Sequence, residues 1–229
     1  MSDSQHFSAY DNADHIARNV AEGRHREMIG GMWDELGRLQ HDFLIERGLK
    51  PQHNVIDIGC GSLRAGVPLA RYLEAGRYYG VDISPELLQA GLEREIAPAG
   101  LSDKLPPENL HATAEFDLSP FGVHFDYGIA QSVFTHMPIH RLTDCLNAIA
   151  QYVVTGGQIY ITWFERPQGH APDGPVAHEP GGIETWPDRD PYDNYPSALE
   201  AATPTGWTLD IIGEWGHPRD QRMALFVRD

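Results

Sequence analysis

The run Val55-Ile56-Asp57-Ile58-Gly59-Cys60-Gly61-Ser62 carries the most specific chemistry in this 229-residue chain. Apolar residues lead into two glycines one position apart, which reads as a strand ending in a tight turn, with a helix expected to begin near Leu63. Gly59 and Gly61 let the backbone bend and approach a ligand, and the first N–H groups of the helix are available to an anion. A second run ends in Tyr79-Gly80-Val81-Asp82, so an acidic side chain falls 21 residues after Gly61, at a neighbouring strand tip, where it can accept both hydroxyls of a ribose. Asp also caps helices, and Ser84 competes for that role here; the two features together point to a nucleoside more strongly than either alone.

Two cofactor classes share such a signature. In the dinucleotide pattern GxGxxG the third small residue permits close helix–strand packing beneath a pyrophosphate. Here that position is Arg64, whose guanidinium obstructs that packing or reaches a ligand carboxylate. Asp57, two residues before Gly59, is placed to hold a cationic amine, which a pyrophosphate lacks. S-adenosylmethionine carries both an amine and a carboxylate on its methionine tail. An NAD-dependent oxidoreductase would need a small residue in place of Arg64 and a second catalytic constellation that the sequence does not offer.

VIDIGCGS followed by YYGVDIS resembles the first two motifs of class I S-adenosylmethionine-dependent methyltransferases. FDYGIAQSVFTHM resembles the family's fourth-strand segment, GGQIYITWFE its fifth strand, and QRMALFVRD its reversed seventh. The whole chain also resembles bacterial small-molecule methyltransferases. The resemblance implies an α/β fold with a Rossmann-like seven-stranded sheet of order 3-2-1-4-5-7-6, strand 7 antiparallel and helices on both faces. It implies S-adenosylmethionine as methyl donor and S-adenosylhomocysteine as product. Asp57, Gly59, Cys60, Gly61 and Arg64 would frame the methionine portion, Asp82 the ribose, Ile83 and Phe116 the adenine faces, and Gln131 the loop below the sulfonium. Many members carry an acidic residue just after the third strand to hold the adenine amine; this chain reads Thr113-Ala114-Glu115-Phe116, so either Glu115 acts from a shifted position or a backbone group does.

Methyl transfer from a sulfonium depends mainly on proximity and desolvation, and a base is needed only where the acceptor must lose a proton. His136, in the loop expected to border the methyl group, is the first candidate base; its alternative is a helix-entry histidine that packs over the cofactor. His217 is the second candidate, and Arg219 beside it is placed to orient an acidic substrate or to serve as a plain hairpin residue. His178 and Tyr192, with His136, His217 and Arg219, form the expected substrate set. His136-x-x-x-His140 invites a metal reading, but Pro138 interrupts it and no HExxH glutamate is present, so no metal site is assigned. Trp33 and Gln40 are placed to close over the cofactor tail.

These residues need elements to position them. Apolar residues at helical spacing from Ile29 to Phe43 predict an amphipathic helix stopped by Gly48 and Pro51. Short apolar runs at Asn54–Ile58, Tyr78–Val81, Leu110–Thr113, Phe125–Ala130, Gln158–Trp163, Leu209–Ile212 and Met223–Val227 predict seven strands. The first five alternate with helices, clearest at Leu63–Leu73, Pro85–Ile96 and Ile139–Tyr152, as in a parallel doubly wound sheet. The last two are joined closely enough for a hairpin. Residues 1–229 read as one domain, with an N-terminal helical cap over 13–48 and a lid or substrate insertion over 164–205. Between Phe164 and Pro196 the composition shifts to Pro, Gly, His and acidic residues without a regular period.

A formal net charge of −16 removes the general phosphate attraction of nucleic-acid binders, so nucleic acid is not an expected partner. Two cysteines in unrelated settings, no apolar leader and no long apolar run predict a cytoplasmic protein without a membrane segment. The leading expectation is O- or N-methylation of a small-molecule acceptor. Protein methylation and non-catalytic binding of S-adenosylmethionine or S-adenosylhomocysteine are its rivals, and oligomeric state is not legible.

Overall fold

Strand Val55–Ile58 (β1) is buried along its whole length, as a strand covered by helices on both faces must be. The computed structural model describes residues 12–179 and 181–229. Around β1 lie Tyr78–Asp82 (β2), Leu110–Ala112 (β3), Phe125–Ala130 (β4), Val153–Glu165 (β5), Trp207–Gly213 (β6) and Arg222–Arg228 (β7). They form one sheet in the order β3-β2-β1-β4-β5-β7-β6; the first five strands run parallel, and β7 is antiparallel to both its neighbours. This is the expected fold.

Side chains alternate across β1, so Val55 joins one core and Ile56 and Ile58 the other. The first core takes Phe43 and Leu44 from Trp33–Glu46 (α3) and Leu69 from Gly66–Tyr72 (α4). The second takes Leu142, Cys145 and Leu146 from His140–Ile149 (α6). Two short helices, Ala13–Ala21 (α1) and His25–Met28 (α2), precede α3.

Three local expectations are corrected. The first amphipathic helix begins at Trp33 rather than Ile29, because Gly30, Gly31 and Met32 all take positive φ and break the helical run. The helix after the glycine turn begins at Gly66 rather than Leu63. Leu63 itself sits at φ 72 and is driven fully into the core, where a Cβ on Gly91 would come within 2.7 Å of its Cγ. The helix expected over Pro85–Ile96 is α-helical only to Gly91 (α5), then widens to a π turn over Leu92–Ile96. There the Glu95 carboxylate accepts from His25 Nε2 at 2.7 Å and from Arg26 Nε and Nη2, both at 2.7 Å, which fastens α2 to the main domain.

The segment 164–205 is also more regular than its composition implies. Val176–His178 pairs with Ile183–Thr185 as a small antiparallel ribbon, Asp193–Asn194 adds beside the end of β5, and Pro196–Ala202 (α7) returns the chain to the core through Leu199. Two- and three-residue strands carry no detectable period. Their support is polar: Arg166 and Asp193, each 1% exposed, form a two-pronged ion pair at 2.6 and 3.1 Å. Arg166 also donates to the Ala171 and Gly174 carbonyls, and Asp193 accepts from the Thr185 hydroxyl at 2.6 Å. Removing one partner leaves an uncompensated buried charge. Arg166→Met is therefore expected to cost about 3–5 kcal/mol in urea unfolding, and Arg166→Met/Asp193→Leu to recover most of it. A single-variant loss under about 1 kcal/mol would place the pair among weak surface ion pairs.

Candidate active site

A cleft of about 420 Å³ opens beyond the carboxyl ends of β1, β2 and β4, where an open α/β sheet presents its ligand site. The glycine turn forms its floor. Gly59 (φ 70) and Gly61 (φ 54) adopt left-handed backbone, and side chains there would collide: a Cβ on Gly59 would lie 2.4 Å from Val133 Cγ2, and one on Gly61 2.7 Å from Ile29 Cγ2. The Gly59 and Cys60 amides donate to the Val81 carbonyl at 2.8 and 3.0 Å, locking the tips of β1 and β2 together.

Asp82 lines the cleft with both oxygens already oriented: Oδ2 accepts from the Gly61 amide at 2.8 Å and Oδ1 from the Ser84 amide at 2.9 Å. Each oxygen keeps a further acceptor direction, the arrangement that meets a vicinal diol. Burial pushes the Asp82 carboxyl above its ordinary pKa, against those backbone donors. Ser84 caps α5, accepting from the Leu87 amide at 3.1 Å, so the capping role falls to Ser84 rather than Asp82. Ile83 exposes 42% of its surface at the cleft, and Phe116, at φ 56, is buried opposite with the Arg141 guanidinium 5.1 Å from its ring centre. Glu115 also borders the cleft, but its side chain is 81% exposed and sits 3.9 Å from Arg141.

Asp57 faces the cleft from inside the sheet, 4% exposed, and accepts from the Tyr78 hydroxyl at 2.7 Å. Burial raises its pKa from 3.8 to about 7, opposed by Tyr78 and by the charge of Arg64. Cys60 is buried with its sulfur against Gly80, and burial raises its thiol pKa well above normal, so it contributes shape rather than nucleophilicity.

Arg64 borders the cleft, yet its guanidinium is turned largely to the protein. Nη1 donates to the Ile29 and Gly31 carbonyls at 3.0 and 2.9 Å, and Nη2 to Gln131 Oε1 at 2.6 Å. It clamps the α2–α3 connection onto the β4 tip. Gln131 passes the contact on through its amide to Ser132 Oγ and to His217 Nε2, 3.2 Å away.

His217 departs from the expected base. It borders neither cavity in this region, and burial, followed by the charges of Arg64 and Arg219, pushes its pKa down to about 3. An imidazole held neutral so firmly is a poor proton acceptor at neutral pH. His178 and Tyr192, expected at the substrate, also lie outside the lining. His178 is 3% exposed, bonded to Thr185 at 2.9 Å and Asp220 at 3.1 Å; the Tyr192 amide donates to the Thr135 carbonyl. Sequence alone cannot tell which way a polar side chain in an insertion faces.

His136 does border the cleft, half-buried, with Nδ1 2.6 Å from Asp190 Oδ1. Asp190 lies 54 residues away in the insertion, within Asp188-Arg189-Asp190, and nothing in that run distinguished it. Gln40 borders the cleft too. Among the described residues no three His, Cys, Asp or Glu side chains gather as a metal cluster, and no helix is long and apolar enough to cross a membrane.

Residues 56–159, from β1 into β5, match a family model described as a methyltransferase domain. The chain is similar in fold to the magnesium protoporphyrin IX methyltransferase of Synechocystis PCC 6803 with bound S-adenosylmethionine, at 16% identity and a TM-score of 0.66 over 100% of both chains. It is similar as well to a TehB-like methyltransferase of Corynebacterium glutamicum, at 15% identity and a TM-score of 0.60 over 95% of this chain and 100% of that one. For the CcbJ methyltransferase of Streptomyces caelestis the values are 15% and 0.58, over 84% of this chain and 89% of that one. Residues 56–159 thus carry a methyltransferase domain, set on a fold that the chain shares with S-adenosylmethionine-dependent methyltransferases.

Proposed function

We propose that the chain is a cytoplasmic enzyme that moves the methyl group of S-adenosylmethionine to an oxygen or nitrogen of a small-molecule acceptor. The cleft suits that donor group by group: Asp57 for the amine, Asp82 for the ribose diol, Ile83 and Phe116 for the adenine faces, Gly59 and Gly61 for close backbone approach. When bound, the donor supplies a methyl carbon on a positively charged sulfur, already activated for displacement. One observation carries the acceptor reading: His136, bonded to Asp190, borders both the donor cleft and a second, smaller cavity that the insertion lines through Phe164, Ile183 and Pro191, a space on the scale of a small molecule. One structural relative, the magnesium protoporphyrin IX methyltransferase, is named for a small-molecule acceptor, which supports the same reading.

The residues divide the work. Asp190 accepts the Nδ1 hydrogen of His136 and so fixes the tautomer in which Nε2 is the acceptor. His136 Nε2 takes the proton of the acceptor hydroxyl or amine while the acceptor's lone pair bonds to the methyl carbon. The carbon–sulfur electron pair remains on sulfur, leaving a neutral thioether.

Three outcomes are expected. Label from methyl-tritiated donor incubated with the protein and cell extract should appear in a small product that chromatography separates from the donor; label confined to protein would overturn the small-molecule reading. With an acceptor in hand, His136→Gln should lower kcat by about 10²–10⁴-fold, and Asp190→Asn by about 10²-fold with partial rescue by Asp190→Glu and a changed pH profile, at unchanged S-adenosylhomocysteine affinity. Equal losses of kcat and donor affinity would assign the pair a structural role.

The third concerns Asp57. Because its folded-state pKa, about 7, exceeds the ordinary 3.8, the folded protein binds a proton that the unfolded chain does not. Its contribution to stability is therefore most favourable below the unfolded value and declines as pH rises towards 7. A bound ammonium favours the carboxylate, so donor binding at about pH 6 should release a fraction of a proton, read by calorimetry in buffers of different ionisation enthalpy. Asp57→Asn should abolish the release, and an unchanged release would remove Asp57 from the amine site.

A further inference from the structure

Beside the donor cleft lies an alcove of about 80 Å³ that shares Ile29, Arg64, Ser132 and His136 with it, so the two spaces meet at His136. Its remaining walls are apolar on the insertion side, from Phe164, Ile183 and Pro191, and polar on the β7 side, from Arg219 and Gln221. In a chain with 33 acidic and 17 basic residues, this alcove is bordered by two arginines and by no carboxylate.

The two arginines are not equivalent. Arg64 is the clamp already described. Arg219 makes one side-chain hydrogen bond, from Nη2 to the Gly30 carbonyl at 2.8 Å, and no carboxylate among the described residues pairs with it. The adjacent Asp220 is turned to Arg222 at 3.2 Å and to His178 at 3.1 Å. The positive potential registers on a neighbour: after burial, the charges of Arg64 and Arg219 are what hold His217 neutral. A guanidinium with donors to offer, apolar walls beside it and a proton acceptor at the mouth form a subsite for an organic carboxylate.

We propose that Arg219 anchors the acceptor through a carboxylate, so that the methyl acceptor is a small organic acid whose nucleophilic atom is presented to His136. This rests on the methyl-transfer reading. A carboxylate is also present on the donor's own methionine tail, but Arg219 borders only the alcove and not the 420 Å³ cleft that holds Asp57, the glycine turn and Asp82.

The test uses the full chain saturated with S-adenosylhomocysteine and two pairs of probes matched in shape, benzoate with benzamide and 3-phenylpropanoate with its amide, titrated by ligand-observed NMR. The acids should bind at least about tenfold more tightly than the amides. Arg219→Gln should erase that preference and Arg219→Lys keep part of it. Arg189→Gln, on an exposed side chain stacked over Trp186, should change nothing. Amides that match the acids, or an acid preference that survives Arg219→Gln, would overturn the proposal. So would a tenfold loss of S-adenosylhomocysteine affinity in Arg219→Gln, which would assign the guanidinium to the donor's tail. An acid preference in a wild-type chain that fails to bind S-adenosylhomocysteine would overturn the methyl-transfer reading and leave the anion site standing.

Discussion

The guanidinium of Arg64 ties together parts of the chain that lie far apart in sequence. Through the Ile29 and Gly31 carbonyls it holds the connection between α2 and α3, and through Gln131 it holds the tip of β4. Gln131 in turn reaches Ser132 and His217, and Ser132 meets Gln221 at the start of β7. Ser132 sits at φ 61 with its amide on Thr162 Oγ1 at 2.7 Å, so the β4 tip is held in a conformation that a non-glycine residue adopts only under such constraint. The side chain that blocks the close packing of a dinucleotide site is thus the one that closes this cleft's inner wall.

Charge is distributed with the same economy. The donor cleft holds two buried carboxylates, Asp57 and Asp82, both raised by desolvation, and both would be relieved by a ligand that brings a cation or hydroxyl donors. The alcove next to it has the opposite character, with Arg219 and Arg64 and no acid. A cationic donor and an anionic acceptor would each enter the part of the site that favours it, and the sulfonium charge vanishes on transfer. The overall charge of −16 says nothing of this division, because it is set by the exposed surface.

The sequence made the sheet and the donor cleft readable for a definite reason. Gly59, Gly61 and Asp82 act within one strand–turn–strand neighbourhood, where position along the chain maps directly onto position in space. The parallel strands are buried on both faces and so appear as unbroken apolar runs. Leu63 misled because a left-handed leucine is rare and is stabilised only by the room that Gly91 leaves it, a contact invisible along the chain. The orientations of His178 and of Asp190, which meets His136, are not legible along the chain for a shared cause: residues in the 164–205 segment owe their orientation to the buried Arg166–Asp193 pair and to two- and three-residue strands too short to show a period. The chemistry of His217 is not written along the chain, since its lowered pKa follows from burial and then from the charge of Arg64, 153 positions away.

The central claim is that the glycine turn and Asp82 bind a sulfonium nucleoside rather than a dinucleotide. Calorimetric titration of the purified protein with S-adenosylmethionine, S-adenosylhomocysteine and NAD, repeated on Asp82→Ala, tests it most directly. Binding of the first two, lost in the variant, and none of NAD are expected. Binding of NAD at comparable strength, or S-adenosylhomocysteine affinity unchanged in Asp82→Ala, would contradict it.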